Sequence, residues 1–126
     1  MPTHAGERMT DATTTIEMLK KKMADFIAER NWQKFHDPKN LSASIAIEAA
    51  ELMEHFQWLR SEDLSAIAHN TVAMAEIREE LADITCYVLS FANALNIDLS
   101  QAVEAKMEKN AKKYPADQYR GRARLD

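Results

Sequence analysis

Apolar side chains recur every three or four residues along four long stretches of this chain, roughly residues 14–30, 40–59, 71–95 and 98–113. That spacing places them on one face of an α-helix, whose period is about 3.6 residues. No stretch alternates apolar and polar residues as a half-buried strand does. The pattern therefore predicts an all-α fold, a bundle of about four helices with no β-sheet.

Capping residues mark the predicted ends of these helices. Thr14, with Glu17 three positions later, has the spacing of a capping box, and Asp98 with Gln101 repeats that spacing before the last helix. Asn40 is the predicted cap of the second helix. Each of these side chains can accept a hydrogen bond from a backbone N–H that the first helical turn leaves unpaired.

The predicted core consists of one apolar stripe on each helix. A short capped turn, residues 61–69, separates the second helix from the third. The second half of the third helix, residues 87–95, is apolar on almost every side, which predicts burial against more than one neighbour. The stripes of the second and third helices are Ile45, Ala49, Leu52, Phe56 and Leu59, and Ile77, Leu81, Ile84, Val88, Phe91 and Leu95.

A length of 126 residues suits one domain. The patterned region predicts that this domain spans residues 14–115, because Pro115 ends the fourth helix. Residues 1–13 are polar and unpatterned, so we expect a flexible leader there. Residues 116–126 are expected to form a flexible basic tail.

Charge and cysteine content exclude several classes of partner. The formal net charge of −4 argues against a nucleic acid polymer, because such proteins usually need a basic face. No apolar run approaches the ~18 residues that a membrane span requires, so no membrane partner is expected. The one cysteine, Cys86, suits a reducing compartment. We expect a cytoplasmic protein.

The glycine content limits how this chain can bind phosphates. It has only two glycines, Gly6 and Gly121, and both lie outside the patterned region. Loops that cradle phosphates with backbone N–H groups need glycines for close approach. If this protein binds phosphates, it must use side chains and metal instead.

Two pairs of carboxylates lie beside the predicted core stripes. Glu48 and Glu51 share one side of the second helix, and Glu80 and Asp83 share one side of the third, because residues three apart are neighbours on a helix. Two like charges ~4 Å apart repel by about 4 kcal/mol at an effective dielectric near 20. These groups therefore either take up protons, splay apart into solvent, or bind a cation, and oxygen ligands favour Mg²⁺, Ca²⁺ or Mn²⁺.

Basic residues could complement such a site. Lys106, Asn110 and Lys113 follow each other at spacings of four and three residues, and so share one face of the fourth helix. They can either hold phosphate oxygens or lie in solvent, as lysines on a terminal helix usually do. The sequence argues against a di-iron carboxylate centre, because such a centre needs Glu-x-x-His pairs and no glutamate here has a histidine three residues later.

Aromatic residues near the helix ends are also open to two interpretations. Trp32 and His36 lie in the first connector, Trp58 closes the predicted second helix, and Tyr87 follows Asp83 by one turn. These rings can stack on a nucleobase, or they can simply fill the end of the bundle. His55 lies on the face of Glu51 and could either ligate a metal or merely cap the helix end as a surface residue.

Taken together, these residues resemble the MazG-like all-α nucleotide pyrophosphohydrolases. The pair Glu48-x-x-Glu51 and Glu80-x-x-Asp83 is similar to the magnesium motif of that family. The blocks ERNWQKFHDPKNL, EAAELMEHFQW, EELADITCYVL and KMEKNAKKYP resemble its dCTP pyrophosphatase branch, and the resemblance extends over about residues 23–115. Met23 departs from it, because that branch has a histidine facing the base at this position.

The resemblance implies a function and a role for each candidate residue. It implies hydrolysis of nucleoside triphosphates, dCTP or modified dCTP analogues above all, to the monophosphate and pyrophosphate, in a homodimer or homotetramer. Glu48, Glu51, Glu80 and Asp83 would hold Mg²⁺, for which Mn²⁺ could substitute, and Glu48 or Glu51 would act as general base. The implied substrate contacts are Trp32, His36, Trp58, Tyr87, Lys106, Asn110, Lys113 and Tyr114.

Two other functions remain compatible with the sequence. The chain could be a helical adaptor or interaction protein whose acidic stripes are only solvated. Alternatively, the same fold could act on dUTP or on a phosphoribosyl-nucleotide, as in related families.

Overall fold

Residues 8–124 of the chain are described by a computed structural model. Within this range the secondary structure is entirely helical, with no strand, so the predicted all-α fold is confirmed. The short stretches Gln33–Phe35 and Ser61–Asp63 are 3₁₀ turns. The α-helices are α1 Ile16–Glu29, α2 Pro38–Glu54, α3 Leu64–Ile67, α4 Thr71–Ala94, α5 Leu99–Lys113 and α6 Ala116–Tyr119.

The chain divides into two compact units, the first ending at Asn96 and the second beginning at Ile97. The first contains α1 to α4, and the second contains α5 and α6. None of the helices within residues 8–124 combines the length and the apolarity that a membrane crossing needs. Residues 1–7 of the predicted leader, and the last two residues of the predicted tail, lie outside the described residues.

In the first unit, α4 packs against both α2 and α1. Its second half is the part predicted to be buried on more than one side, and Leu89, Ser90 and Ala92 there are buried. The Asn93 side chain joins the helices directly, since its Nδ2 donates a hydrogen bond of 2.9 Å to the backbone carbonyl of Lys20 in α1. This packing brings one face of α2 against the first half of α4.

The core differs from the predicted stripes at several positions. Leu81 and Leu95 of α4 are exposed, as are Ala49 of α2 and Leu59 beyond its end. Leu41, which the stripe of the second helix omitted, is fully buried at 0% exposure. Leu41 lies four residues before Ile45 and so on the same face of α2. The predicted start at Asn40 placed it at the helix entrance, whereas the observed start at Pro38 places it within the helix.

Two of the predicted N-caps were wrong by a few residues. The cap of α1 is Thr15, whose Oγ1 accepts a hydrogen bond of 3.1 Å from the Met18 N–H. The cap of α2 is Asp37, whose Oδ1 accepts from the Asn40 N–H at 2.8 Å. Proline then occupies the first position of α2, where its missing N–H costs nothing. The predicted cap Asp98 is confirmed, with its Oδ1 2.9 Å from the Gln101 nitrogen.

Asparagines take the place of glycine at two helix ends. Asn31 after α1 and Asn96 after α4 both have a φ of 54°, in the left-handed region that asparagine tolerates better than most residues. After α1, the Trp32 N–H reaches back to the Ile27 carbonyl at 3.0 Å, and the Asn31 N–H reaches the Ala28 carbonyl at 3.0 Å. These two bonds form a Schellman motif, which turns the chain sharply into the connector that contains Trp32.

The second unit contains α5 and one further helical turn. That turn, Ala116–Tyr119, falls in the segment predicted as a flexible tail. Its Tyr119 ring packs edge-on against the Tyr114 ring, with the centroids 5.2 Å apart. The predicted division into leader, domain and tail otherwise stays a prediction.

Candidate metal centre

The packing of α2 against α4 brings three of the predicted carboxylates together. Glu48 belongs to α2, while Glu80 and Asp83 lie one turn apart on α4. One carboxylate oxygen from each of these residues lies within 4.8 Å of the other two. The fourth predicted residue, Glu51, follows Glu48 by one turn and interacts with both Glu48 and Glu80. We call these four side chains the acidic cluster.

The acidic cluster strongly perturbs the protonation of Glu48. Burial raises the pKa of Glu48 to about 7, and the neighbouring charges of Glu51, Asp83 and Glu80 add to the effect. Burial and Glu51 also raise the pKa of Glu80, which His55 partly opposes. A carboxylate with an ordinary pKa is ionised at neutral pH. The raised pKa values show that ionising all four side chains of the metal-free cluster costs free energy.

A divalent cation fits these residues. Glu48 Oε2 is buried and has no hydrogen-bond partner within the described part of the chain, although buried polar atoms are almost always paired. All of the available donors are carboxylate oxygens, the ligands that Mg²⁺, Mn²⁺ and Ca²⁺ prefer. A bound cation would both satisfy the unpaired oxygen and neutralise the repulsion among the four side chains.

His55 lies at the end of α2, between two glutamates of α4. Its Nε2 is 3.7 Å from Glu80 Oε1, and its Nδ1 is 3.8 Å from Glu76 Oε2. The His55 side chain is only 20% exposed. It is therefore largely buried beside the two glutamates and does not occupy the surface position considered from the sequence. The sequence places Glu76 one turn before Glu80 on the same side of the third helix, but Glu76 was not among the predicted metal ligands.

The metal-free protein is expected to lose stability as the pH rises from about 4.5 to about 7. Folding raises the pKa of Glu48 from 4.5 to about 7, so in this range the folded state keeps a proton that the unfolded state has lost. The stabilisation that this proton provides is fully present below the pKa of Glu48 in the unfolded chain, 4.5, and is lost as the pH rises through its pKa in the folded protein, about 7. Urea unfolding in EDTA at several pH values measures it.

Glu48→Gln is the matched control for this pH dependence, because glutamine has a similar shape and does not titrate. The decline in the free energy of unfolding between pH 4.5 and 7 should be shallower in the variant than in the wild type. Parallel curves for the two proteins would contradict the assigned pKa.

Tyr87 continues the same side of α4 one turn beyond Asp83 and is half-buried. Burial raises its pKa, and the nearby charges of Glu48 and Asp83 add to the increase. The phenol therefore stays protonated and can donate a hydrogen bond next to the acidic cluster.

The architecture and the acidic cluster agree with a family comparison. The model of the MazG-like family matches residues 43–124. The chain belongs to the MazG-like family. The predicted family is thus confirmed, and the matched region contains all four residues of the acidic cluster.

Individual relatives of this MazG-like chain point in the same direction. dCTP pyrophosphatase 1 of Bos taurus is 37% identical over 121 residues, which are 96% of this chain and 72% of that protein. dCTP pyrophosphatase 1 of Homo sapiens is 36% identical over 110 residues, 87% of this chain and 65% of that protein. These relatives are nucleoside triphosphate pyrophosphohydrolases, the class of enzyme predicted from the sequence.

A solved structure matches the fold as well. The crystal structure of a pyrophosphatase from Archaeoglobus fulgidus superposes with a TM-score of 0.73 at 39% sequence identity. The match covers 86% of this chain and 99% of that protein chain. The helical architecture described above is therefore that of a MazG-like pyrophosphatase.

Two of the predicted aromatic residues of the MazG-like chain lie against each other. The Trp32 and His36 rings are parallel within 6°, with their centroids 6.2 Å apart. Trp32 also meets the edge of Phe26 from α1, at 6.0 Å between centroids. Trp58, in contrast, lies in the turns after α2 and is 85% exposed, so the described residues leave most of its ring uncovered.

His36 also borders a cavity of about 410 Å³ in the first unit. Its walls come from α1, from the connector after it and from the last turns of α4. Met23, which departs from the family resemblance, is half-buried on α1 next to the cavity residue Ala24.

The predicted phosphate-binding residues belong to the second unit. Lys106 and Lys113 are exposed on α5, and Asn110 between them is half-buried. Tyr114 is the C-cap residue of α5, with the Lys113 ammonium 5.3 Å from its ring centroid.

Proposed function

We propose that this protein hydrolyses deoxynucleoside triphosphates to the monophosphate and pyrophosphate, with dCTP or a modified dCTP analogue as its substrate. The observation that carries the proposal is the convergence of Glu48, Glu80 and Asp83 from two packed helices, in a chain whose curated relatives are dCTP pyrophosphatases. A solvated acidic face, as in an adaptor protein, does not account for a buried and unpaired carboxylate oxygen.

The cofactor that we propose is Mg²⁺, with Mn²⁺ as a possible substitute, held by Glu48, Glu51, Glu80 and Asp83. When bound, such an ion supplies neutralisation of phosphate charge and lowers the pKa of a coordinated water. The arrangement of four carboxylates needs no glycine-rich loop, which agrees with a chain that has only two glycines.

We propose Glu48 or Glu51 as the general base that accepts the proton of the attacking water. The two side chains lie one helical turn apart and share the crowded side of α2 that faces α4. In its ionised form, which a bound cation favours, either carboxylate can accept a proton from a water molecule held beside the ion. Tyr87, protonated beside these carboxylates, can donate to the sugar or to a phosphate oxygen.

The remaining substrate contacts follow the family resemblance. We propose that Lys106, Asn110, Lys113 and Tyr114 contact the phosphates or the sugar. Lysine ammonium groups can hold the charge that develops on the leaving pyrophosphate. The Trp32 and His36 pair, together with Trp58, would bind the base and the sugar.

We propose a cytoplasmic homodimer or homotetramer, with no nucleic acid polymer or membrane as partner. Large apolar side chains remain uncovered in the single chain: Ile47 is 59% exposed and Val72 is 68% exposed. Trp58 is exposed as well, and association between subunits is one way in which such side chains are covered.

Identification of the products tests this proposal. The purified protein is incubated with Mg²⁺ and, in separate reactions, with each of the four common dNTPs, dUTP and a phosphoribosyl-nucleotide. We expect pyrophosphate to be released from triphosphates, and dCTP to be hydrolysed most efficiently. Phosphate detection with and without an added inorganic pyrophosphatase distinguishes the products. Orthophosphate released directly would refute the reaction class, and the absence of Mg²⁺-dependent nucleotide binding in a calorimetric titration would favour the adaptor.

A further inference from the structure

The cavity in the first unit contains a polar group that the proposed mechanism does not use. Ser90 of α4 lines this cavity and is only 3% exposed. Its Oγ is buried and lacks a hydrogen-bond partner anywhere in residues 8–124. The same cavity is lined by the small apolar side chains Ala24, Ala28 and Ala94 and by polar side chains that include His36.

An unpaired serine hydroxyl at this helix position is unfavourable for folding alone. A serine inside a helix commonly bonds back to the carbonyl four residues earlier, and Thr85 of the same helix does so, with Oγ1 2.9 Å from the Leu81 carbonyl. Ser90 makes no such bond. Alanine would form the helix better and would leave no polar atom buried. The hydroxyl is therefore explained best by a partner that enters the cavity.

The position of Ser90 relative to the acidic cluster suggests which part of a nucleotide enters. Ser90 follows Asp83 by seven residues on one helix, so both lie on nearly the same side, about 10 Å apart along the axis. Tyr87 lies between them on that side. If the α-phosphate of a nucleotide lies at the carboxylates and its sugar lies at Tyr87, its base lies about 10 Å from the carboxylates, next to Ser90.

The tautomer of His36 indicates the chemistry of the base. Its Nδ1 lies 2.9 Å from the Trp32 carbonyl oxygen. Because a carbonyl oxygen can only accept, Nδ1 is the donor in this contact, and Nε2 is an acceptor in the ring form that carries a single proton. An acceptor on this residue of the cavity wall favours a base with an exocyclic amino group. The Ser90 hydroxyl can then donate to the unprotonated ring nitrogen beside that amino group, an acceptor that thymine and uracil lack.

We infer that Ser90 is a specificity-determining residue whose Oγ hydrogen-bonds the edge of an amino-bearing nucleobase in this cavity. The inference rests on the proposed function, since it assigns the base-recognition contact of the same site. It places the base against the last turns of α4, beyond Tyr87.

Ser90→Ala tests the inference through base discrimination and stability together. For the best amino-bearing dNTP, kcat/KM should fall about 3- to 10-fold, mainly through KM, which is the range for loss of one hydrogen bond. The kcat/KM for dTTP should change less, so the ratio of kcat/KM between the amino-bearing dNTP and dTTP decreases. The melting temperature should not decrease, because an unpaired polar atom has been removed.

Two further variants separate recognition from structure. Thr85→Ala removes a hydroxyl from the same helix outside the cavity and should leave the ratio between bases unchanged. Ser90→Thr keeps the hydroxyl and should retain the base ranking that Ser90→Ala loses. If Ser90→Ala lowers the melting temperature and reduces kcat/KM equally for all bases, the serine is structural and the inference is wrong.

A metal-free binding measurement distinguishes failure of this inference from failure of the proposed function. Titration of dCMP in EDTA should show weaker binding to Ser90→Ala than to the wild type. If the wild type hydrolyses no triphosphate, the proposed function fails, and the dCMP titration still decides the role of Ser90. If the wild type is active and neither measurement changes in Ser90→Ala, only the inference fails.

Discussion

Asp83→Asn and Glu48→Gln are each expected to reduce triphosphate hydrolysis by more than about 100-fold. Loss of a residue that merely supports a metal ligand typically costs 10- to 100-fold, and these two side chains are themselves placed as ligands in the acidic cluster. The amides keep the shape of the carboxylates and remove their charge. Release of pyrophosphate from dCTP at saturating Mg²⁺ measures the effect.

Folding should survive both substitutions. Each removes one charge from a cluster in which burial and neighbouring carboxylates raise the pKa of Glu48 to about 7, so the metal-free variants should be at least as stable as the wild type. Glu79→Gln is the matched control, because Glu79 is exposed on the same helix outside the cluster. If the Asp83 and Glu48 variants keep activity within threefold of the Glu79 variant, the acidic cluster is not the active site.

A divalent cation is expected to raise the melting temperature of the protein by about 10 °C when it is present at about 100 times its dissociation constant. Binding to the folded state alone then stabilises by about 2.7 kcal/mol, and each kcal/mol moves the midpoint of a domain of this size by about 4 °C. The physical source is relief of the repulsion among Glu48, Glu80 and Asp83. Thermal unfolding followed by circular dichroism, with Mg²⁺ or Mn²⁺ added after EDTA dialysis, measures the shift.

Ionic strength must be matched in this experiment, because any salt screens repulsion between exposed charges. Sodium chloride at equal ionic strength should produce a much smaller shift than the divalent salt, and Glu48→Gln should lose most of the divalent effect. Equal shifts in the two salts would show that the cluster is only screened and that no ion is bound there.

The helical part of the fold could be predicted from the sequence because helix formation leaves a local pattern. The four long helices were found from apolar spacing, and the cap at Asp98 was placed correctly. The errors at Thr14 and Asn40 have local causes as well. Three consecutive threonines, residues 13–15, all suit an N-cap, and the Asp37-Pro38 pair was a stronger start signal than Asn40.

The candidate site was predictable only in part. The spacing of Glu48 and Glu51, and of Glu80 and Asp83, shows that each pair shares one side of its own helix. It does not show that the two sides meet, and the convergence within 4.8 Å comes from the structure. The sequence offered His55 as a candidate ligand, but only the structure shows that its ring lies within 3.8 Å of both Glu76 and Glu80. The burial of Ser90 had no signal in the sequence pattern.

The sequence by itself therefore determined the fold class, the family and the angular position of each carboxylate around its helix. The tertiary structure decided which faces oppose each other, how far along their axes the helices are aligned, and which polar atoms lose contact with water. The physical reason is that helical periodicity depends on bonds between residues three and four apart. The alignment of two helices depends on side-chain packing between residues that are distant in the chain.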